Sequence, residues 1–426
     1  MIAIIGLGTG GLYAARWISM LNRREEITII EKRNYETYSP CSIPLVVEGA
    51  VSEDDIVHPF PKSKNVKILL GHEAVEIDTE AKIVKAKNLE NGEIVDVHYD
   101  KLIFAPGAKP WVPPIPGVNK KGVFTVRTVE DAISIKRWAE HSKKALVVGA
   151  GAIGVEMAYA LRKRGLDVTL VELLEHPFPT AIDKDLAKYV DQKLRDEGIN
   201  TMYGVKVEEI IGDEKVQGAV ISGEKLEVDM VIMSTGVRPS TSLLRDKVEM
   251  DERGFILVNE KMQTSNPDIF AVGDCVKTPY GKIQLATTAL NQAIVAAINA
   301  AGGNATYTKP TGAFVSSFGG YEVASVGERG EIVGRGWSRI NPYSEEKIVM
   351  KVFVDKDGTI KGAQAVGRGA SSRIDIVSAL IRKNGKIWDL AFMEKSYCPE
   401  VCELYDVIKI AAENAMRKMK LEEYIV

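Results

Sequence analysis

The chain has 426 residues, 45% of them apolar and 27% charged, an ordinary composition for a soluble globular protein. At roughly 100–200 residues per domain, that length predicts two to four domains, each with a core of its own. Lysine and arginine number 55 against 58 acidic residues, a net charge of −3, so the overall charge gives no case for nucleic acid.

Residues 1–21 are apolar but lack the basic start of a signal peptide, and they read instead as a strand, a loop and a helix. The next most apolar stretch, 285–301, is broken by Asn291, Gln292 and Asn299, which excludes a membrane span. Four cysteines (Cys41, Cys275, Cys398 and Cys402) are too few for a disulfide scaffold and point to a reducing cytoplasm. No grouping of residues suggests a metal site.

One pattern is written twice. Residues 2–32 run IAIIGLGTGG, a helical stretch, then ITIIEK; residues 145–173 run ALVVGAGAIGVE, a helical stretch, then VTLVEL. Each is a strand, a glycine loop, a helix and a strand ending in an acid, the unit that binds a dinucleotide. Gly6 and Gly149 make the tight turn, Gly8 and Gly151 admit the pyrophosphate, and Gly11 and Gly154 let helix and strand pack closely. The helix N-terminus offers free N–H groups and a positive dipole end to phosphate. Glu31 and Glu172 stand where a carboxylate accepts the hydroxyls of an adenosine ribose. Glu172 repels a 2′-phosphate, and no arginine adjoins it, which favours NADH over NADPH while leaving NADPH possible.

Further on, TSNPDIFAVGDC (264–275) places Asp274 at a strand end, suited to a ribitol hydroxyl. The helix that starts near Thr287 can turn its positive end toward a reduced flavin ring. The first loop is therefore expected to hold FAD and the second the nicotinamide dinucleotide.

Over nearly its whole length the chain resembles the pyridine nucleotide–disulfide oxidoreductase family. LIFAPGAKP (102–110) and VIMSTGVRP (231–239, with Gly236) are similar to its two crossover segments, with Pro106 where Thr or Ser is usual. The resemblance implies an α/β fold with two Rossmann-like domains and an α+β C-terminal dimerisation domain. The expected division is FAD domain 1–112 and 239–308, NAD domain 113–238, and interface domain 309–426. It also implies that the backbone of Val75 meets the adenine and that Glu156 lies near the nicotinamide.

Cys41 sets the branch. In YSPCSIPLVVEG it stands alone where dithiol members carry a CxxxxC pair, as in coenzyme A disulfide reductases and their persulfide- or polysulfide-reducing relatives. SYCPEVCELYDVI is similar to the family segment that reaches the partner subunit's active site, so Tyr397, and with it Tyr343 in NPYS, are candidate proton donors in a homodimer. Cys398 and Cys402 are read as packing residues. The segment HPFPKSKNVKI departs from the short basic helix of relatives that bind coenzyme A, and Lys62, Lys64 and Lys67 are the remaining phosphate candidates.

The expected function is NADH-dependent reduction of a sulfur–sulfur bond in a persulfide, polysulfide or coenzyme A disulfide. One alternative is an NADH oxidase or peroxidase working through a Cys41 sulfenic acid; Thr9 speaks against it, because such relatives carry a histidine there. Another is a reductase of a protein partner with Cys41 incidental. The Cys41 thiol is expected to ionise below the free value of about 8.5, favoured by oxidised flavin and the Thr287 helix.

Overall fold

The structure is a computed structural model that describes residues 1–61 and 63–419; Lys62 lies outside the described residues. Strand Ile2–Ile5 is the centre of a five-stranded parallel sheet. It pairs with Ile27–Ile30 on one side and Lys101–Phe104 on the other, with Val66–Leu69 and Ile269–Ala271 at the edges. Its four residues IAII are all buried, as expected of a parallel strand covered on both faces. The last strand comes from far downstream, so this sheet is assembled from distant parts of the chain.

A second parallel sheet repeats the plan. Lys144–Val148 lies between Asp167–Glu172 and Met230–Met233, with Ile199–Tyr203 and Val123–Thr125 outside. The two crossover segments meet as an antiparallel pair, Ala108–Pro110 against Val237–Pro239. Small antiparallel sheets decorate both units.

After these, the strands Phe314–Phe318 to Ile360–Val366 form a five-stranded antiparallel sheet with its own core. The helices Ala370–Arg382, Ile387–Ala391 and Val407–Lys418 contribute to that core. The fold is the α/β class expected. A charged clamp joins the third layer to the second: Lys351, 3% exposed, reaches Asp183 (2.7 Å) and Asp185 (2.5 Å) at the start of helix Lys184–Asp196. No helix among the described residues is long and apolar enough to cross a membrane.

Candidate active site

The glycine loops are shaped by contacts that a side chain would break. Gly6 has φ +89°, and a Cβ there would sit 2.4 Å from the Ala105 carbonyl oxygen; one at Gly11 would sit 1.9 Å from the Gly6 carbonyl oxygen. Gly149 and Gly154 repeat this, at 2.5 Å from the Ser234 carbonyl oxygen and 1.8 Å from that of Gly149. Gly8 and Gly151 differ: a Cβ on either meets nothing within 4 Å. Each is the N-cap of its helix, Thr9–Leu21 or Ala152–Lys163, and neither helix end is closed by a capping side chain. Open space in front of free helix N–H groups is what a pyrophosphate needs.

The two acids close their loops alike. Glu31 accepts from the Leu7 N–H (2.7 Å) and Glu172 from the Ala150 N–H (2.7 Å), at matching positions. Glu31 also holds Arg33 through two side-chain hydrogen bonds, at 2.8 and 2.7 Å, and Arg33 stacks over the rings of Tyr35 and Tyr38. Burial alone would raise the Glu31 pKa, but the hydrogen bonds and charge of Arg33 hold it below the usual carboxylate value. Glu172 accepts instead from its own Leu174 N–H (2.9 Å).

Val75 falls at the irregularity of strand His72–Asp78, where the partner register jumps between Ala74 and Glu76. A bulged residue drops out of the ladder, leaving its backbone available to a ligand. Thr287 is exposed in the first turn of helix Ala286–Ala300. Gly236 is exposed with φ +101°, and its carbonyl accepts from the Trp111 N–H (2.8 Å). Acceptors, bulge and open cradle together fit a dinucleotide at the first loop.

Cys41 lies in the short 3-10 turn Pro40–Ser42 that leads into helix Ile43–Glu48. The preceding segment is tied to the second unit: the Tyr38 hydroxyl donates to the Arg127 carbonyl (2.7 Å) and the Tyr35 hydroxyl to Glu130 (3.2 Å). Arg127 precedes Thr128, which caps the next helix in a box with Asp131. Its guanidinium stands 3.7 Å from the Asp274 carboxylate. Sequence reasoning missed Arg127. The capping box beside it was a readable signal, but the side chain's direction was not.

Cys41 is exposed as a residue, yet the protein around its thiol desolvates it. That desolvation and the charges of Glu156 and Asp274 raise its pKa, and Arg127 opposes them only in part. The protein's own groups therefore act against the expected lowering: burial first, then the Glu156 and Asp274 charges, push the thiol up, which leaves the lowering to flavin and the Thr287 helix. Asp274 is raised by burial against the pull of Arg127.

Glu156, on the helix of the second loop, is pushed up to about 7 by burial. The Ser316 hydroxyl donates to it at 2.6 Å, and the Ser317 backbone also bonds it. Cys275 is fully buried, its pKa driven up to about 12, which leaves it inert.

Tyr397 and Tyr343 are exposed on neighbouring loops of the third layer, joined where Asn341 donates to the Glu400 carbonyl (3.1 Å). Neither tyrosine is in the group of charges that acts on Cys41. Cys402 is buried beneath its own loop and Cys398 is exposed one turn before it. Lys64 and Lys67 are exposed, and no helix lies between Asp54–Ile56 and strand Val66–Leu69 among the described residues.

Two dinucleotide cradles around a single thiol define a flavin-dependent oxidoreductase that draws its electrons from a nicotinamide nucleotide. The chain belongs to the pyridine nucleotide-disulphide oxidoreductase family, whose profile matches residues 1–293. It is 38% identical to an NADH oxidase of Methanocaldococcus jannaschii over 98% of both chains. It is 31% identical to the CoA-dependent NAD(P)H sulfur oxidoreductase of Pyrococcus furiosus, over 96% of this chain and 98% of that one. Among solved structures, the NAD-dependent persulfide reductase from A. fulgidus superposes with a TM-score of 0.92 at 32% identity, over 98% of this chain and 83% of the other.

Proposed function

We propose that this enzyme uses NADH to reduce sulfur–sulfur bonds, with Cys41 as the residue that accepts sulfur. The supporting observation is the position of that thiol. The groups that act on its charge come from both nucleotide units: Glu156 from the second loop's helix, Arg127 from before the adjoining helix, and Asp274 from the strand end expected to hold ribitol. The first glycine loop and Glu31 would hold FAD, which would supply two-electron transfer between NADH and the sulfur on Cys41.

The Cys41 thiolate attacks the sulfur–sulfur bond of RS–SH. Attack on the outer sulfur makes Cys41–S–SH and releases RS⁻; attack on the inner one makes Cys41–S–S–R and releases HS⁻. Two electrons and a proton then cleave the new bond, regenerating the Cys41 thiol and releasing HS⁻ from Cys41–S–SH or RS⁻ from Cys41–S–S–R. A second cysteine is not required. Because the protein's own charges disfavour the thiolate, the neutral oxidised ring and the end of helix Ala286–Ala300 are left to stabilise it.

The reading extends to assembly. The third layer exposes Trp337, Tyr343, Phe392, Tyr397, Val401, Leu404 and Tyr405, large apolar groups of the kind a subunit interface covers. A two-fold dimer through this face would present Tyr397 to the partner's Cys41 as a proton donor. Coenzyme A as carrier of the sulfur would have to be met without the basic helix, with Lys64 and Lys67 as the described lysines of segment 57–67. Oxygen reduction is a second reading, favoured by the M. jannaschii relative's name and opposed by Thr9 in place of an imidazole.

The test compares steady-state NADH consumption with coenzyme A persulfide, coenzyme A disulfide, polysulfide and oxygen for wild type and Cys41→Ser. The variant is expected to keep FAD and accept electrons from NADH while losing sulfur reduction by several orders of magnitude. Wild-type sulfur reduction by that variant would falsify the assignment. Oxygen as the best acceptor would move it to the second reading.

A further inference from the structure

Glu156 is held by a part of the chain outside both nucleotide units. Its helix, Ala152–Lys163, packs against strand Phe314–Phe318 of the third layer. From that strand Ser316, 3% exposed, donates its hydroxyl to Glu156 Oε1 at 2.6 Å, and the Ser317 backbone supplies a second hydrogen bond. No lysine or arginine among the described residues forms an ion pair with this carboxyl.

The surrounding elements add little charge. Strand Phe314–Phe318 has no ionisable side chain, and helix Ile43–Glu48 has only Glu48, at its far end. On the adjoining strands, Lys144 pairs with Glu227, Asp167 accepts from Asn200, Glu172 from Ala150 and Leu174, and Asp191 holds Tyr203. Cys41 is the titrating neighbour that shares its field.

We infer that Ser316 is a positioning residue for the oxidation of NADH: its hydroxyl fixes the Glu156 carboxyl against the nicotinamide site and sustains it as a carboxylate. The inference rests on Glu156 lying beside the nicotinamide and is independent of which sulfur compound is reduced. When NADH loses a hydride, positive charge develops on the nicotinamide ring, and an adjacent carboxylate stabilises it while a neutral acid does not. Burial opposes that carboxylate, so its ionisation falls within the working pH range. The two hydrogen bonds from the third layer are what oppose the burial. The outer sheet thereby sets the pH at which the inner site accepts electrons.

Two readouts test this on the FAD-loaded protein. Infrared pH titration follows the protonated carboxyl band of Glu156, identified by its absence in Glu156→Gln. Stopped-flow absorbance follows flavin reduction by NADH between pH 5.5 and 9. In wild type the rate should rise with pH as Glu156 ionises, near 7. In Ser316→Ala both titrations should move up by about one unit, making the NADH step about fivefold slower at pH 7 and nearly unchanged at pH 9. Ser316→Thr, which keeps the hydroxyl, should restore both. A wild-type carboxyl titration in Ser316→Ala overturns the inference. If Glu156→Gln retains the wild-type pH profile, the placement of Glu156 itself fails, and the inference with it.

Discussion

The two glycine loops share one plan but are finished differently. In the first, the closing acid Glu31 is 4% exposed and gripped by Arg33, and Arg33 in turn lies against the rings of Tyr35 and Tyr38. In the second, Glu172 is partly exposed, has no arginine partner, and is flanked by Leu173 and Leu174 at 65% and 50% exposure. An acid buried and held in this way suits a cofactor that stays. An open second pocket with uncovered apolar surface suits a nucleotide that must leave after every turnover. The same backbone device serves retention or exchange according to what surrounds its acid.

The sharpest way to break this comparison is to fill the two open cradles. A Cβ at Gly8 or Gly151 meets no protein atom within 4 Å, so both Ala variants should fold. Gly151→Ala should keep its flavin and raise the KM for NADH by about 10–100-fold, a loss of about 1.4–2.8 kcal/mol of binding. Gly8→Ala should instead purify depleted in FAD, seen in the ratio of flavin to protein absorbance. Equal effects of both variants on both ligands would erase the distinction between the loops.

Smaller effects are expected at the acids. Glu172→Ala should weaken NADH about tenfold and narrow its advantage over NADPH, measured as the ratio of kcat/KM values, because a ribose acceptor and a repulsive charge go together. Arg33→Met should loosen FAD a fewfold and change its acid sensitivity. Glu31 has a depressed pKa, so its stabilising contribution is present above the unfolded value and is lost as pH falls through the folded one. Without Arg33 the folded value rises, and flavin release on acid titration should begin at a higher pH than in wild type. Release at an unchanged pH would show that Arg33 does not govern this acid.

What could be read beforehand was what local sequence encodes. The doubled strand–glycine–helix–acid pattern specified both cradles, since each role depends on backbone shape and spacing within about 30 residues. Cys41 stood out because it is alone between prolines, and the fold sets its thiol in the field of Glu156, Arg127 and Asp274. What escaped were side chains that meet across distant segments. Arg127 approaches Asp274 from 147 positions away by count of their numbers, and Ser316 reaches Glu156 across a separation of 160. No periodicity or motif reports such a meeting. The protein's own pull on the Cys41 thiol escaped for the same reason, since its burial and the nearness of Glu156 and Asp274 exist only in the folded chain.

The antiparallel pairing of Ala108–Pro110 with Val237–Pro239 has an architectural consequence. Paired strands run about 4.7–4.9 Å apart. The chain therefore leaves for the second nucleotide unit and comes back through a single doorway, and everything between is a cassette with its two ends side by side. Exchanging that cassette for one of different nucleotide preference would keep the first cradle and the thiol in place only if the newcomer again presented its helix to Ser316, a backbone carbonyl to Tyr38 and a pair of acids to Lys351.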